Sequence, residues 1–209
     1  LAGVLGTQET INNPRPAAET NILGGLNVLE AAAQYDLPIV NIAVGNYWMN
    51  NTYSITKNTV ERFAEMMNRY RATKITVVRG LNAYGPRQEP VSPWGTSKVR
   101  KIMPSFICRA LSGLPIEVYG AGDQIMDMIW VGDAARALVS ALEVTARAGA
   151  VRSVLEAGSG RATTVLDIAE IVAAEVKLQG GLTVPINRLP MRPGEDEHSI
   201  VLGKPESLI

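Results

Sequence analysis

Hydrophobic and polar positions follow two different periods in the first part of the chain. In residues 17–35, apolar side chains recur at steps of three and four, as at Ile22, Leu26 and Leu29, and this spacing predicts an amphipathic helix. Residues 38–44 form a short, almost uninterrupted apolar run, which predicts a strand buried on both faces. The chain is therefore predicted to start with a helix that leads into a buried strand.

The same pair of patterns then repeats. Residues 53–71 predict a second helix and residues 74–79 a second buried strand, with short links between the elements. Alternating helices and strands of this kind are typical of parallel α/β structure. Gly24 and Gly25 interrupt the first helix at a cost of about 1 kcal/mol each, so we predict that another backbone approaches the helix there.

After Arg79 the pattern changes to a segment rich in Gly, Pro and Ser at residues 80–97, followed by shorter elements. Residues 4–16 are polar and rich in turn residues, and residues 180–209 are predicted to be irregular. The shorter elements are predicted as a helix over 99–112, strands over 116–119 and 128–131, a helix capped by Asp133 that ends near 148, a strand over 153–157, and a helix from Thr163 or Thr164 to about 176.

The composition is that of an ordinary globular protein. Of the 209 residues, 46% are hydrophobic and 19% are charged, which excludes a disordered or fibrous chain. Lys and Arg number 20, as do Asp and Glu, and this balance argues against a nucleic-acid partner, whose binding surface is basic. No apolar run reaches the roughly 18 residues that a membrane span needs. With one Cys and one His in the chain, we predict no metal site.

Tyr53 and Lys57 are the sharpest local signal for chemistry. They lie four residues apart at the start of the second predicted helix, and residues at this spacing share one helix face. A Lys ammonium beside a phenol favours the phenolate and so lowers the pKa of the Tyr. Tyr53 is therefore a candidate acid/base near neutral pH, with chance spacing as the alternative.

A second candidate segment, from Arg79 to Arg87, follows the next predicted strand. Ligands of open parallel sheets bind beyond the carboxyl ends of the strands, so we predict that this segment and Tyr53 lie together. Asn82 offers amide donors and acceptors, and Arg87 can clamp a phosphate. The alternative is a Gly-Pro turn that carries a solvated Arg.

Three further polar features each leave two interpretations open. Asn21, early in the first helix, is either a local polar group or a residue that holds the active-site backbone. Arg192, in the irregular tail, is either a phosphate ligand or part of a surface loop. The basic stretch of Lys98, Arg100 and Lys101 faces either an anionic substrate or solvent.

In this order, the features resemble the extended short-chain dehydrogenase/reductase superfamily, and more narrowly the NAD-dependent epimerase/dehydratase family that acts on nucleotide-sugars. The resemblance covers almost the whole chain, and the ordered set is more specific than any single motif. The matching stretches are Leu1-Ala2-Gly3, the helix from Glu19 to Ala32, Tyr53-xxx-Lys57, the segment from Arg79 to Arg87, Met103-Pro104, the segment from Leu111 to Ile116, Tyr119-Gly-Ala-Gly122-Asp-Gln124, Asp127, the segment from Val131 to Ala137 and Arg192-Pro-Gly194.

The resemblance implies an α/β fold: a Rossmann-type doubly wound parallel sheet with a smaller C-terminal substrate-binding subdomain. Residues 1–80 would be the later part of the dinucleotide-binding domain, including the catalytic helix. Residues 81–209 would be mostly the substrate subdomain, with segments at about 115–160 that return to the sheet.

The resemblance also implies roles for individual residues. Tyr53 is the acid/base on a sugar hydroxyl, while Lys57 holds the nicotinamide ribose and lowers the Tyr53 pKa. The cofactor is NAD, with NADP left open. The implied cofactor-binding residues are Ala2, Gly3, Asn21, Tyr53, Lys57 and Gly80, and the implied substrate-binding residues, chiefly for a diphosphate, are Asn82, Arg87 and Arg192.

The chain departs from the family pattern at three points. Val44 stands where the family has a Ser or Thr hydroxyl before the catalytic Tyr, and Thr52 is the hydroxyl that can substitute. Met126 replaces an Arg that often precedes the residue matching Asp127, which weakens the diphosphate clamp. No Gly-x-Gly-x-x-Gly occurs, so a phosphate-cradling loop would precede Leu1. We therefore expect the chain to be about two-thirds of a larger enzyme.

These observations predict a NAD-dependent nucleotide-sugar epimerase, or a dehydratase, that works by Tyr/Lys-assisted hydride transfer through a keto intermediate. Epimerisation is favoured because no Asp-Glu pair precedes Tyr53. Two alternatives stay open: a non-catalytic nucleotide-sugar or NAD-binding protein, which Val44 favours, and a reductase of a non-sugar carbonyl. We further expect a cytoplasmic homodimer that pairs the helices at 17–35 and 53–71.

Overall fold

The computed structural model describes residues 3–97, 99–151 and 154–209. Its helices are α1 (Thr7–Ile11), α2 (Pro14–Ala17), which continues through a π-helical segment (Ala18–Leu23) into α3 (Gly24–Gln34), and α4 (Thr52–Arg71), α5 (Ile102–Leu111), α6 (Val131–Ala148) and α7 (Val165–Leu178). Its strands are β1 (Ile39–Val44), β2 (Ile75–Gly80), β3 (Asn82–Tyr84), β4 (Ile116–Tyr119), β5 (Ile125–Met126), β6 (Met128–Trp130), β7 (Leu155–Ala157), β8 (Thr163–Thr164), β9 (Ile186–Leu189) and β10 (Ile200–Val201).

A parallel sheet in the order β1-β2-β7 forms the first half of the structure. Ile39 lies opposite Ile75 and Val44 opposite Gly80, so β1 and β2 end at the same level. Gly80 in turn lies opposite Ala157 at the end of β7. The carboxyl ends of all three strands therefore meet at one edge of the sheet.

Helices cover both faces of this sheet, because the apolar side chains of β2 point alternately to one face and to the other. Ile75 and Val77 belong to one buried cluster with Leu29 of α3 and Met67 of α4. Val78 belongs to a second cluster with side chains of α6, on the opposite face. The result is a three-layer α/β/α arrangement, so the predicted α/β fold with a parallel sheet is confirmed.

A separate core holds the small C-terminal unit together. It is made by α5, α7 and the parallel pair β4–β9, with Phe106, Val118 and Val172 among its buried residues. Thr164 begins α7 with a capping box, in which its hydroxyl accepts from Asp167 N and the Asp167 carboxylate accepts from Thr164 N, both at 3.0 Å. Hydrogen bonds from the side chain and the backbone N–H of Thr164 to the carboxylate hold the pKa of Asp167 below its ordinary value.

Most predicted boundaries agree with the structure to within a few residues, but three segments differ. Trp130, and not Asp133, is the N-cap of α6. The turn-rich residues 4–16 contain α1 and most of α2, and the tail 180–209 contains β9 and β10. These elements span two to five residues, which is too short for a periodic signal.

The reason for a glycine at position 25 also differs from the prediction. A Cβ on Gly25 would lie 2.8 Å from Cγ2 of Val60 in α4. The close approach is therefore made by the Val60 side chain and not by a backbone. The glycine at position 25 lets α3 pack closely against α4.

Asp127 joins the two halves of the molecule. Its side chain is fully buried. Its Oδ1 accepts from Ser159 N at 2.6 Å and Ser159 Oγ at 2.7 Å, and its Oδ2 accepts from Gly160 N at 2.9 Å and Gly203 N at 3.1 Å. The backbone oxygen of Asp127 accepts from Asn82 N at 3.1 Å. One carboxylate thus fixes the loop after β7 and the C-terminal segment around β6.

Two further observations concern the described residues only. None of their helices combines the length and the apolarity needed to cross a membrane. Among the same residues, His, Cys, Asp and Glu side chains form no group of three that could hold a metal ion.

Candidate active site

Two cavities open where β1 and β2 end. The smaller has a volume of about 240 Å³, and Val44, Gly45, Tyr53 and Gly80 contribute to its lining. The larger has a volume of about 370 Å³ and extends toward the C-terminal unit, and this size is in the range of small-molecule sites. Nine residues line both cavities, so the two share a wall: Thr7, Asn46, Leu81, Asn82, Arg100, Lys101, Arg192, Glu195 and Val201.

Tyr53 enters the smaller cavity from the first turn of α4. Asn51 caps this helix, because its side-chain oxygen accepts from Ser54 N at 3.0 Å. Burial raises the pKa of the Tyr53 phenol above its ordinary value of 10.0. This direction corrects the prediction that Lys57 lowers it, since in the protein by itself burial dominates.

Lys57 lies one turn after Tyr53 in α4. Burial lowers the pKa of its ammonium below 10.5. No hydrogen bond or ion pair of this ammonium is found within the described ranges. A partly buried cation without a protein acceptor is poised to bind acceptor oxygens of a ligand.

Asn21 connects the start of the chain to the helix of Tyr53. Its Oδ1 accepts from Val4 N at 2.8 Å, and its Nδ2 donates to Val4 O at 3.1 Å and to Thr56 Oγ1 at 3.0 Å. The hydroxyl of Thr56 donates to Tyr53 O at 3.0 Å. The amide of Asn21 is therefore satisfied inside the protein, and it links the segment around Val4 to the helix that carries Tyr53.

The predicted cofactor residues occupy three different settings. Gly80 lines the smaller cavity, and a Cβ there would meet no protein atom closer than 3.8 Å. The protein itself therefore has room for a side chain at this position. A Cβ on Gly3 would lie 3.1 Å from Asn21 Oδ1, and Gly3 lines neither cavity. Ala2 lies outside the described residues.

Three cationic side chains face the wall that the cavities share. Arg192 makes a bidentate pair with Glu195, with N–O distances of 3.0 and 2.5 Å, and its guanidinium lies 4.5 Å from the centre of the Tyr119 ring. Arg100 pairs with Glu117 at 3.2 Å. Burial lowers the pKa of Lys101, while the charge of Glu9 acts in the opposite direction.

The structure does not bring Arg79 and Arg87 to this wall. Arg87 is exposed and lines neither cavity, and its contact with the substrate stays a prediction. Arg79 is bound by Glu61 through two hydrogen bonds of 3.1 and 2.6 Å, and it lies 3.5 Å from the centre of the Tyr47 ring. It therefore fixes the loop before α4 and has no direct access to a substrate.

Val44 is buried and brings no hydroxyl to the site, in agreement with the departure seen in the sequence. Thr52 does not replace the missing hydroxyl, because its Oγ1 donates to Thr10 O at 3.1 Å. The polar side chains that line the smaller cavity near Tyr53 include Asn46 instead. Its amide makes a weak contact of 3.4 Å with Met49 Sδ, so most of its hydrogen-bonding capacity is left for a ligand.

Two more residues of the larger cavity, Ser105 and Gln124, received no role from the sequence. Gln124 lies in the stretch Tyr119–Gln124 that resembles the family, but only the fold shows that it lines this cavity. Met126, the predicted departure before Asp127, also lines this cavity. Arg100 and Lys101, which the sequence left between substrate and solvent, lie at the shared wall.

A parallel α/β sheet with a polar site at its carboxyl edge defines a protein of the dinucleotide-fold class. The sequence model of the NAD dependent epimerase/dehydratase family matches residues 41–155. The chain therefore belongs to this family of enzymes, as its motifs predict.

Individual relatives agree with this membership. A dTDP-glucose 4,6-dehydratase of Actinoplanes sp. is 33% identical over 123 residues, which cover 59% of this chain and 34% of that protein. The low-salt glycan biosynthesis protein Agl12 of Haloferax volcanii is 26% identical over 204 residues, which cover 90% of this chain and 61% of that protein.

A solved structure of a UDP-glucose 4-epimerase with UDP-glucose, from Thermotoga maritima, is similar with a TM-score of 0.80 at 26% identity. The similarity covers 99% of this chain and 67% of that one. The chain thus spans only about 60% of the length of curated relatives that it matches over most of its own residues.

Proposed function

We propose that the protein works as a NAD-dependent nucleotide-sugar epimerase or dehydratase, with Tyr53 as its acid/base. One observation carries this proposal: Tyr53 lines a cavity that shares a cationic wall with a second, larger cavity. A nucleotide-sugar has the same three parts in the same order. The sugar fits beside Tyr53, the diphosphate beside Arg100, Lys101 and Arg192, and the nucleoside in the larger cavity.

Tyr53 and Gly80, which line the smaller cavity, and Lys57, one helical turn after Tyr53, fit the nicotinamide end of NAD. Gly80 leaves room that the protein does not fill, and Lys57 offers an ammonium without a partner among the described residues. We propose that Lys57 and Tyr53 hold the nicotinamide ribose and that Gly80 lies against the ring. When bound, NAD would supply an acceptor and donor of hydride.

Tyr53 would move the proton. Its phenolate oxygen would remove the proton from a sugar hydroxyl as the carbon that bears it is oxidised to a ketone by the bound NAD. The phenol would give the proton back when the ketone is reduced, and reduction from the other face of that carbon would invert the centre. Because burial raises the Tyr53 pKa, the phenolate needs the positive charge of Lys57 and of the bound nicotinamide.

Asn46 and Asn82 are proposed to orient the sugar. Both line the wall that the two cavities share, and the buried Asn82 Nδ2 has no hydrogen-bond partner among the described residues. Arg192 is proposed to bind the diphosphate, with its guanidinium held in place by Glu195. Epimerisation is favoured over dehydration because Gly45 and Asn46, not two acids, follow β1.

A non-catalytic nucleotide-sugar-binding protein is the second candidate. Two observations favour it: Val44 has no hydroxyl, and the hydroxyl of Thr52 is used by Thr10 O. A binder of this kind would keep the cationic wall and lose the need for Tyr53.

Assembly, domain division and location remain proposals that accompany the function. Val28, Ile55, Met66 and Tyr70 are exposed on α3 and α4, which supports a homodimer formed through these helices. We further propose a dinucleotide-binding part over residues 1–80 and a mainly substrate-binding part over 81–209. The family resemblance favours a cytoplasmic location.

The decisive experiment measures NAD-dependent turnover of UDP- and dTDP-sugars by the protein and by Tyr53→Phe. Turnover that Tyr53→Phe abolishes is the expected result. Equal activity of Tyr53→Phe would refute the catalytic assignment. Binding of nucleotide-sugars with no turnover of any of them would instead establish the non-catalytic alternative.

A further inference from the structure

The Arg192 loop (residues 191–195) crosses from the C-terminal unit to the start of the chain. Gly194, at the turn of this loop, has a φ of +76°, which favours glycine. A Cβ on Gly194 would lie 2.6 Å from Cδ1 of Ile11 and 3.2 Å from Cγ2 of Thr7. The loop therefore fits closely against α1, and the fit depends on a glycine both for its backbone conformation and for its size.

Asn51 joins this loop to the helix of the proposed acid/base. It is only 3% exposed, and its Nδ2 donates to Gly194 O at 3.3 Å. Its Oδ1 accepts from Ser54 N at 3.0 Å and so caps α4. Tyr53 follows two residues later, in the first turn of the same helix. One carboxamide thus holds the loop with its nitrogen and the helix start with its oxygen.

The same loop carries part of the cationic wall. Arg192 and Glu195 lie on either side of Gly194, and both line the two cavities. Their bidentate pair, with N–O distances of 3.0 and 2.5 Å, closes the turn between them. Asn51 is not part of the lining of either cavity. An anion bound at Arg192 therefore acts on Asn51 only through the loop, by stabilising the position in which Gly194 O meets the amide.

A helix cap alone does not account for an amide at position 51. Asp caps a helix as well as Asn does, and its carboxylate would serve Ser54 N equally. A carboxylate has no donor for Gly194 O, whereas a carboxamide has both an acceptor and a donor. The nitrogen of Asn51 therefore has a function that is separate from capping, and this function is the contact with the loop.

We propose that Asn51 is a positioning residue that couples ligand binding at Arg192 to the first turn of α4. The inference rests on the proposed function, because it takes Arg192 as a contact of the diphosphate. A ligand shifts a protein toward the conformation that it binds more tightly, and coupling between two sites is reciprocal. A bound diphosphate thus orders the helix start that carries Tyr53, and a well-ordered helix start strengthens the diphosphate site.

Asn51→Asp tests the coupling because it keeps the cap and puts an acceptor opposite Gly194 O. The probe is UDP or dTDP, whichever the unaltered protein binds more tightly by calorimetry. We expect the variant to bind this probe about tenfold more weakly. In the unaltered protein, saturating probe should slow amide hydrogen exchange in residues 52–56 at least about threefold, measured by mass spectrometry. In Asn51→Asp at saturating probe, this protection should be absent.

Asn68→Asp is the matched control on the same helix. The Nδ2 of Asn68 donates to Ile75 O at 2.6 Å, and its Oδ1 accepts from Ile75 N at 3.1 Å. The variant makes the same exchange of donor for acceptor opposite a backbone oxygen, but near the far end of α4. It is expected to lower Tm while the Kd of the probe changes by less than about twofold and the protection of residues 52–56 is kept.

A double-mutant cycle distinguishes coupling from a purely structural effect. With Arg192→Ala already present, Asn51→Asp should weaken probe binding by less than about twofold, because the loop no longer carries the ligand contact. An equal loss in both backgrounds, an unchanged affinity in Asn51→Asp, or full protection of residues 52–56 in that variant would each refute the coupling, while the proposed function stands. If neither UDP nor dTDP binds the unaltered protein, the proposed function fails, and the coupling fails with it.

Discussion

The side-chain amide of Asn21 donates to Thr56 Oγ1 at 3.0 Å, and Thr56 in turn donates to the backbone oxygen of Tyr53. The same amide pairs with both backbone groups of Val4. These hydrogen bonds hold a segment at the start of the chain against the helix that carries the proposed acid/base. Asn21 reaches the chemistry through Thr56 and contacts neither cavity.

Replacing Asn21 with Leu should therefore damage both stability and turnover. The change leaves Val4 N, Val4 O and Thr56 Oγ1 without their partner, which is expected to cost about 2–4 kcal/mol, or roughly 5–12 °C in Tm. The midpoint is measured by thermal unfolding.

If Asn21 positions the helix of Tyr53 without contacting the substrate, its replacement should lower kcat and leave KM almost unchanged. In Asn21→Asp, which keeps the acceptor for Val4 N, we expect a lower kcat with KM changed by less than about twofold. A KM that rises while kcat stays constant would show that Asn21 contacts substrate directly.

Burial of Tyr53 and Lys57 makes the stability depend on pH in opposite directions. The folded-state pKa of Tyr53 is raised above 10.0. The stability that Tyr53 contributes to the folded protein is therefore present below pH 10 and is lost as the pH rises through the folded-state pKa. The folded-state pKa of Lys57 is lowered below 10.5, so the folded protein gains stability as the pH rises from that lowered pKa toward 10.5.

Lys57→Met should consequently stabilise the protein at pH 7 while it removes activity. The variant no longer buries a charge, and we expect Tm to rise by up to about 2 °C, within the usual range for gains of a fraction of a kcal/mol. In the cofactor-free protein, a Tyr53 titration obtained from the absorbance difference with Tyr53→Phe should give a pKa above 10.0, and this pKa should rise further in Lys57→Met because the phenolate loses a nearby positive charge. An unchanged Tyr53 pKa in Lys57→Met would show that the Lys57 charge does not act on the phenol.

Arg87 and Arg192 form a matched pair for testing the cationic wall. Arg192 lines both cavities, whereas Arg87 lines neither. Removing Arg192 also leaves the Glu195 carboxylate facing an anionic ligand, so Arg192→Ala is expected to weaken UDP binding about 30-fold, or about 2 kcal/mol. Arg87→Ala is expected to change the Kd by less than about twofold. A large effect at Arg87 would show that its loop closes over the ligand.

Arg79 and Glu61 should behave as a buried structural pair. Their side chains are 13% and 3% exposed, and Glu156 lies 3.8 Å from the same guanidinium. Arg79→Leu leaves buried carboxylates unpaired and is expected to cost about 3–5 kcal/mol, measured by urea unfolding. Glu61→Leu combined with Arg79→Leu should cost clearly less than the sum of the single changes. Additive losses would contradict the pairing.

The proposed homodimer makes a simple prediction for sedimentation. Tyr70 is 71% exposed and Val28 60% exposed on neighbouring helices. A charge at a buried apolar contact is costly, so Tyr70→Asp is expected to shift the protein to monomer without a loss in Tm beyond that of the dimer contact. A monomeric unaltered protein at micromolar concentration would refute the dimer.

The sequence predicted the sheet well because its signals are local. Residues 38–44 and 74–79 are short apolar runs between helical periods, and β1 and β2 lie over nearly the same residues. Asn51 and Thr164 cap helices through their own side chains, and such caps depend on neighbours three residues away. The short pairs β5–β10 and β5–β8 carry no such signal, because tertiary contacts alone hold them in place.

The candidate site also combines features that the sequence predicted with features that it could not predict. Tyr53 at the mouth of a cavity could be predicted, because strand ends of a parallel sheet meet at one edge. The partner of each arginine could not be predicted, because it depends on which acidic side chain the fold brings near. Arg79 pairs with Glu61, Arg192 pairs with Glu195, and Arg87 is exposed. The direction of the Tyr53 pKa shift was likewise a matter of burial, which spacing along a helix does not report.

By itself, the sequence determined the α/β alternation, the family and the helix that bears Tyr53 and Lys57, since each is written in spacings of a few residues. Only the tertiary structure decided which polar groups face an open cavity. Ser105 and Gln124, separated by 19 positions in the sequence, line one cavity because α5 and β5 pack around it. Contacts of this kind arise from the packing of distant segments, and no local pattern encodes them.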